Sequence, residues 1–453
     1  MAISNLNLAS SISIKTAIAN LKSDFNTNLC WVNPSNNYID DTIDKINAQL
    51  GSSSLVDQDA IDYIASSVFI HSSNSWSYLS MAIHSLLEGD YGAAIHNAYY
   101  AELRAIMSFL ATQGIGVFDK GNLIVDSTGK VHKATCPNYA ESRTHNFAKT
   151  ALDQWLSDTA NASALIDIIK VEDKSINDWI TATGFDASTY LPGMLAKGWI
   201  NTWSLDMSIM SKDTNLRNVV SYRPQNFNLN FSPIHDGILE RISFIEEMWK
   251  LCNPNSLFET TLWRLSLEYV YKNLFSYSSI SELDRKKDLE PLFVALGKNP
   301  SSNVSSNLID FLERGREPID NAIFSKASFN SIPIQETNIE PFGILSRACL
   351  MTNFATRSAQ NLLSQTRTIK SDIQFWLDNL GIKSGFWELG SEPSLFSDLW
   401  LDVELELYDI AIWKSKSLVS GSYNNPYKYN KEMKSNLFTV KQFNRSYLWN
   451  LKI

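Results

Sequence analysis

The sequence predicts a mainly α-helical fold, organised as multi-helix bundles with a small β-hairpin inserted near residues 122–132. Three observations carry that reading. Gly (18) and Pro (13) are scarce across 453 residues, whereas 44% of the chain is hydrophobic and includes 13 Trp, 17 Tyr and 22 Phe. That composition excludes a disordered chain and argues against a turn-rich all-β architecture. Apolar residues recur at helical spacing through most of the chain. The helical period stops between Gly114 and Pro137, where Asn122–Val125 and Lys130–His132 flank the turn sequence Asp126-Ser127-Thr128-Gly129.

Taken in order, residues 1–56 form an N-terminal helical segment in which Ile14, Ala17, Ile18 and Leu21 share one face. The loop Asn33-Pro34-Ser35-Asn36-Asn37 and a helix over about Asp40–Leu50 follow. From Trp76 the pattern is firm, with Leu79, Ile83, Leu86 and Leu87 on one side. Gly89-Asp90 then makes a turn, and Asp90 is placed to cap the helix Tyr91–Gln113, which ends before Gly114. Within that helix Ala94, Ala98, Ala101, Ala105 and Ser108 form a stripe of small side chains, the pattern that lets a second helix approach closely.

Further helices are expected over Asn146–Leu156, Ala162–Lys170 and, started by Pro192, Thr189–Met210. Pro224 and Pro233 bracket an Asn- and Phe-rich connector, which sets a boundary near residue 230 between a bundle over 57–230 and a C-terminal helical domain over 231–453. The latter is expected to hold helices over His235–Cys252, Leu257–Phe275, Phe342–Gln365 and Ser371–Leu380. Leu399–Trp413 satisfies both strand alternation and a helical stripe, and its helical surroundings decide for helix. From about residue 420 the Asn-, Tyr- and Lys-rich tail is expected to be loosely ordered.

The 48 acidic and 39 basic residues leave a charge of −9, with no electrostatic footprint for nucleic acid over the whole molecule. Residues Met1–Lys22 lack the pattern of a signal peptide, and no run of apolar residues is long enough to span a membrane. Cys30, Cys136, Cys252 and Cys349 form no CxxC pair, so free thiols in a reducing cytoplasm are expected.

The phrase Gly89-Asp90-Tyr91-Gly92-Ala93-Ala94-Ile95-His96-Asn97-Ala98-Tyr99-Tyr100-Ala101-Glu102-Leu103-Arg104-Ala105 resembles the opening helices of HEPN-type domains. These are helical bundles found in bacterial toxin, CRISPR-associated and anti-phage defence proteins. Active members carry, on a later helix, an Arg followed by a polar residue and then a His four to six positions after the Arg. The Arg holds phosphate and the His exchanges a proton with the 2′-hydroxyl or the leaving oxygen. Arg217-Asn218 begins such a motif here, but Tyr222 or Arg223 stands where the His would be, and an Arg stays protonated near neutral pH. The resemblance therefore implies either a bundle kept for binding or a substitute His. His145, in Arg143-Thr144-His145-Asn146, has an Arg and polar residues around it. His96, beside the alanine stripe, reads first as a bundle-internal hydrogen bonder.

Other candidates give way to structural readings. His132, Cys136 and His145 match no zinc spacing and lack a fourth ligand, so no metal or cofactor is expected. Ser127-Thr128-Gly129-Lys130 lacks the earlier Gly of a phosphate loop and reads as a hairpin turn. Glu246-Glu247 and the acids Asp402, Glu404, Glu406 and Asp409 read as solvated faces. Arg347, interrupting an apolar helix face, reads as half of a buried ion pair. Trp376, Trp387 and Trp400 read as core anchors, because no basic residues interleave with them.

The leading functional expectation is a defence-associated bacterial protein that binds a partner protein or a ligand through a degenerate HEPN-like bundle. The alternative is a metal-independent ribonuclease, with Arg217 and Arg143 on phosphate, His145 or His96 as acid-base, and RNA as partner. A structural scaffold subunit is the third reading. None of the three calls for a membrane.

Overall fold

The computed structural model describes residues 2–40, 44–46, 48, 55–119, 121–136, 143–182, 195, 207–222, 237–255, 257–274, 290–299, 322–327, 341–420 and 426–453. In the first half the helices are α1 (Ser11–Asn28), α2 (Gln58–Glu88), α3 (Tyr91–Thr112), α4 (Thr144–Leu156), α5 (Thr159–Ile166), α6 (Ile176–Ala182) and α7 (Met207–Tyr222). In the second half they are α8 (Ile238–Leu251), α9 (Leu257–Leu274), α10 (Ala322–Ala327), α11 (Phe342–Gln365) and α12 (Gln374–Lys383). The chain then forms α13 (Leu399–Ser420), α14 (Pro426–Glu432), α15 (Lys434–Val440) and α16 (Arg445–Asn450). The mainly helical fold is as expected, and Leu399–Trp413 lies within a helix.

Local chemistry sets the central hairpin of α2 and α3. Asp57 Oδ1 accepts from the Ala60 N–H at 3.1 Å and starts α2, and Asp90 Oδ1 accepts from the Ala93 N–H at 2.9 Å and starts α3. Between them Gly89 ends α2 at φ 81°, in the left-handed region that glycine enters without a Cβ clash. α2 begins well before Trp76. Its first half and middle carry Ser66, Ser72, Ser73 and Ser75, which interrupt the apolar period in the sequence. In the fold their hydroxyls are satisfied: Ser73 and Ser75 donate to the carbonyls of Ile70 and Ser72, and Ser66 donates to Trp31.

The alanine stripe of α3 is fully buried, and Ser108 Oγ at its end donates to the Val68 carbonyl of α2 at 2.7 Å. Large side chains would hold the two helices farther apart. α11 completes the core. Phe354 lies 5.3 Å from Phe109 of α3, and Trp76 Nε1 of α2 donates to Thr356 Oγ1 of α11 at 2.8 Å. Helices on both sides of the expected boundary near 230 thus share one hydrophobic core.

The expected hairpin is present as β3 (Leu123–Val125) and β4 (Lys130–Lys133), with Val125 opposite Val131. It is the middle of a four-stranded antiparallel sheet, flanked by β1 (Leu55–Val56) against β4 and by β2 (Ile115–Gly116) against β3. A second small sheet pairs β5 (Lys170–Val171) with β6 (Lys174–Ser175). It corrects the expected helix over Ala162–Lys170, since α5 stops at Ile166 and the chain turns through Glu172 and Asp173, both at positive φ.

The tail is a second correction. Instead of loose chain, α14 to α16 pack onto the C-terminal helices. Trp449 Nε1 donates to the Cys252 carbonyl and Trp249 Nε1 to the Val440 carbonyl, each at 2.8 Å. Apolar residues sparse in sequence, Tyr447, Leu448 and Trp449, are concentrated on α16 and buried together. Of the expected helix over 40–50 only 40, 44–46 and 48 are described, and most of the one over 189–210 and the connector 225–232 lie outside the described residues. Among the described residues no helix is long and apolar enough to cross a membrane.

Candidate functional site

The polar centre of the molecule lies where α3, α4, α7 and α11 meet. On α7, Asp213, Arg217 and Ser221 recur every fourth residue, so one helix face carries all three, with Thr214 beside them. α3 brings His96, Tyr99 and Tyr100 on successive positions of one side. α4 brings His145 and, one turn later, Lys149.

Tyr99 is the hub. Its hydroxyl lies 3.0 Å from His145 Nδ1 and 3.4 Å from Thr214 Oγ1, and Lys149 Nζ donates to the same Thr214 hydroxyl at 2.9 Å. The Arg217 guanidinium carbon stands 5.0 Å from the centre of the Tyr99 ring and 5.8 Å from that of Tyr100. His145 packs against the same two rings at 5.6 and 5.9 Å between centroids. His96 faces Tyr100 at 5.0 Å and shares a 2.8 Å hydrogen bond with Ser221.

Beneath this layer lies an ion pair. Arg347 of α11 grips Asp213 with two hydrogen bonds, 3.0 Å from Nε and 2.6 Å from NH2, and also donates to the Ala327 carbonyl at 3.2 Å. Both side chains are buried, as Arg347's place in an apolar face led one to expect. Glu102 of α3 is also buried, and among the described residues neither of its carboxyl oxygens has a hydrogen-bond partner. Burial and then the Asp213 charge push its pKa up to about 7, while Lys149 and Arg347 pull the other way. Burial draws the Lys149 ammonium below its usual range, and Glu102 and Asp213 hold it up.

Arg217 has no such compensation. It is 7% exposed, and among the described residues its buried Nε has no partner and it forms no ion pair with a carboxylate. Its charge is felt by its neighbours. Burial first, then the positive charges of Arg217, Lys149 and Arg104, bring His145 down to about 4, so its imidazole is neutral near neutral pH. Burial and Arg217 lower His96 in the same sense.

Two of the three residues read as catalytic candidates, His145 and Arg217, therefore meet on one tyrosine ring, and His96 joins them from the other side. Arg143 stands at the exposed start of α4, unlike the buried Arg217. Tyr222, at one of the positions where a motif His would stand, is 73% exposed at the end of α7, and Arg223 lies outside the described residues. Sequence reasoning missed Tyr99, Glu102, Lys149, Asp213 and Thr214 as site residues. The available signal was a charge on an otherwise apolar face: Glu102 between Ala101 and Leu103, and Lys149 one turn after His145.

The other histidine candidate has a structural job. His132 Nε2 lies 2.8 Å from Asp126 Oδ2, pinning the hairpin turn. Burial opposes ionisation of Asp126, but His132, Thr128 and the Lys130 and Thr128 N–H groups hold its carboxyl well below the usual range. Among the described residues no group of three or more His, Cys, Asp or Glu side chains is placed to hold a metal ion. Compared with known proteins, the chain matches no family model, and neither a curated protein nor a solved structure matches it.

Proposed function

We propose that this chain is a ligand-binding helical protein of the HEPN-like, defence-associated kind, and that its polar centre receives an anionic group such as a phosphodiester. One observation carries the reading. Arg217 is nine-tenths buried beside a neutral histidine, with an unpartnered Nε and no carboxylate pairing among the described residues. Leaving a guanidinium so placed is costly, and an anion that completes its hydrogen bonds offsets that cost. Tyr99 and Tyr100 supply flat faces beside it.

The convergence of His145 and Arg217 on Tyr99 supports a second reading, a metal-independent ribonuclease. Its weakness is chemical. An imidazole with a pKa of about 4 accepts a proton but holds it poorly, and near pH 7 it has none to donate to a leaving oxygen.

Histidine-resolved NMR with a short single-stranded RNA tests both. An anion bound against Arg217 restores negative charge near His145, so the His145 pKa is expected to rise on binding and the RNA to stay intact. Arg217→Gln is expected to weaken binding about tenfold or more, the loss of one charge-assisted hydrogen-bonded contact. RNA cleavage that disappears in His145→Ala selects the ribonuclease reading. A His145 resonance unmoved by RNA and by inorganic phosphate overturns both.

A further inference from the structure

A second polar group of α3, Arg104, lines a cleft beside this centre, near enough for its charge to act on His145. The cleft, about 480 Å³, lies between α2, α3 and the start of α4, with Arg104 and His71 among its walls. Arg104 NH1 donates to His71 Nδ1 at 3.2 Å, and Arg104 Nε is buried without a partner among the described residues. Burial and the adjacent guanidinium bring His71 down to about 3, so His71 accepts that hydrogen bond as a neutral ring and contributes no countercharge. Asp119, on the exposed rim, forms no ion pair with Arg104. Two serines of α2 and Thr144 also line the cleft, and its apolar part leaves Ile39 at 43% and Ile70 at 37% exposure, with Met107 and Phe118 beside them. A cleft open to solvent, with a largely apolar wall and one forked cation that has no carboxylate partner among the described residues, is the arrangement that fits an amphipathic anion.

We propose that this cleft binds a small organic carboxylate carried on an apolar body, its head on Arg104 and its body against Ile39, Ile70 and Phe118. A singly charged head is favoured over a phosphate dianion. One guanidinium balances one negative charge, the neutral His71 adds none, and the Asp119 rim repels a second. The anion here is held by Arg104 and not by Arg217, although the Arg104 charge also acts on His145.

Titration calorimetry on the full chain with three probes of one body, octanoate, octanol and octyl phosphate, tests this. Octanoate is expected to bind about tenfold or more tighter than octanol, the difference made by one charge-assisted contact, and tighter than octyl phosphate. Arg104→Met is expected to erase the preference for octanoate while octanol still binds. Ser67→Trp, which fills the cleft from α2 without changing charge, is expected to lose all three, and it serves if the Arg104 variant does not fold. Arg217→Gln is expected to leave octanoate binding unchanged, which separates this site from the phosphodiester reading. Equal affinity for octanoate and octanol, tighter binding of octyl phosphate, octanoate binding that survives Ser67→Trp, or no binding at all overturns the proposal.

Discussion

Glu102 and His145 both feel the charge of Lys149, yet burial moves their pKa values in opposite directions. For Glu102 the folded pKa, about 7, lies above the ordinary 4.5. The folded chain then holds a proton that the unfolded chain releases, so the contribution of Glu102 to stability is full at low pH and is lost as pH rises from 4.5 through about 7. For His145 the folded value, about 4, lies below 6.5. Its contribution is full above 6.5 and is lost as pH falls toward 4. The two oppose each other over most of the same window, so the wild-type profile alone does not resolve them. Glu102→Gln isolates one. Thermal melts are expected to show the variant gaining stability relative to wild type at about pH 8 and losing that advantage at about pH 5. A difference that does not change with pH would mean that Glu102 ionises in the folded chain as it does in water. Of these residues the sequence exposes the types but not the pairing. Arg217 stands out through its motif and His145 through its neighbours. The cations that act on Glu102, Lys149 and Arg347, come from two other helices, and no spacing encodes that meeting.

Elements were legible where their signals are local. Asp90, Gly89 and the alanine stripe each act within one or two helical turns, and α3 begins and ends at the residues those signals indicate. The stripe also makes a quantitative demand, because Ala98, Ala101 and Ala105 have no exposed surface. Ala101→Leu forces three extra carbons into that packed seam and is expected to lower unfolding free energy by about 1–3 kcal/mol in urea titrations. A neutral result would show that the seam has room. Where an element depends on a distant partner, the sequence is silent. β1 is two residues long and exists because Leu55 meets Val131. The early half of α2 is masked in the sequence by serines whose hydroxyls bond back to the helix or to Trp31, so the apolar period understates it.

At the scale of the whole molecule, a net charge of −9 conceals an interior that gathers Arg217, Lys149 and Arg347 around two carboxylates. Bulk composition reports the surface, and so the absence of a basic footprint says nothing of this centre. The same holds for the C-terminal tail, whose Asn, Tyr and Lys content reads as loose chain. In the fold Arg357 NH2 of α11 donates to Asn450 Oδ1 at 2.9 Å, Trp449 reaches the Cys252 carbonyl, and Phe443 stacks on Trp249 at 4.0 Å. Arg357 is itself paired with Glu259 of α9, so the tail closes over a buried charge pair on the helix that crosses the core. Removing the tail would open that pair to water and uncover Trp249. A chain ending after Ser420 is therefore expected to unfold at markedly lower urea, by several kcal/mol, as buried aromatic area and satisfied polar groups are lost together. Tryptophan emission is expected to shift to the red even before unfolding. A truncated chain with wild-type stability and unshifted emission would mean that residues after 420 lie on the molecule without holding it.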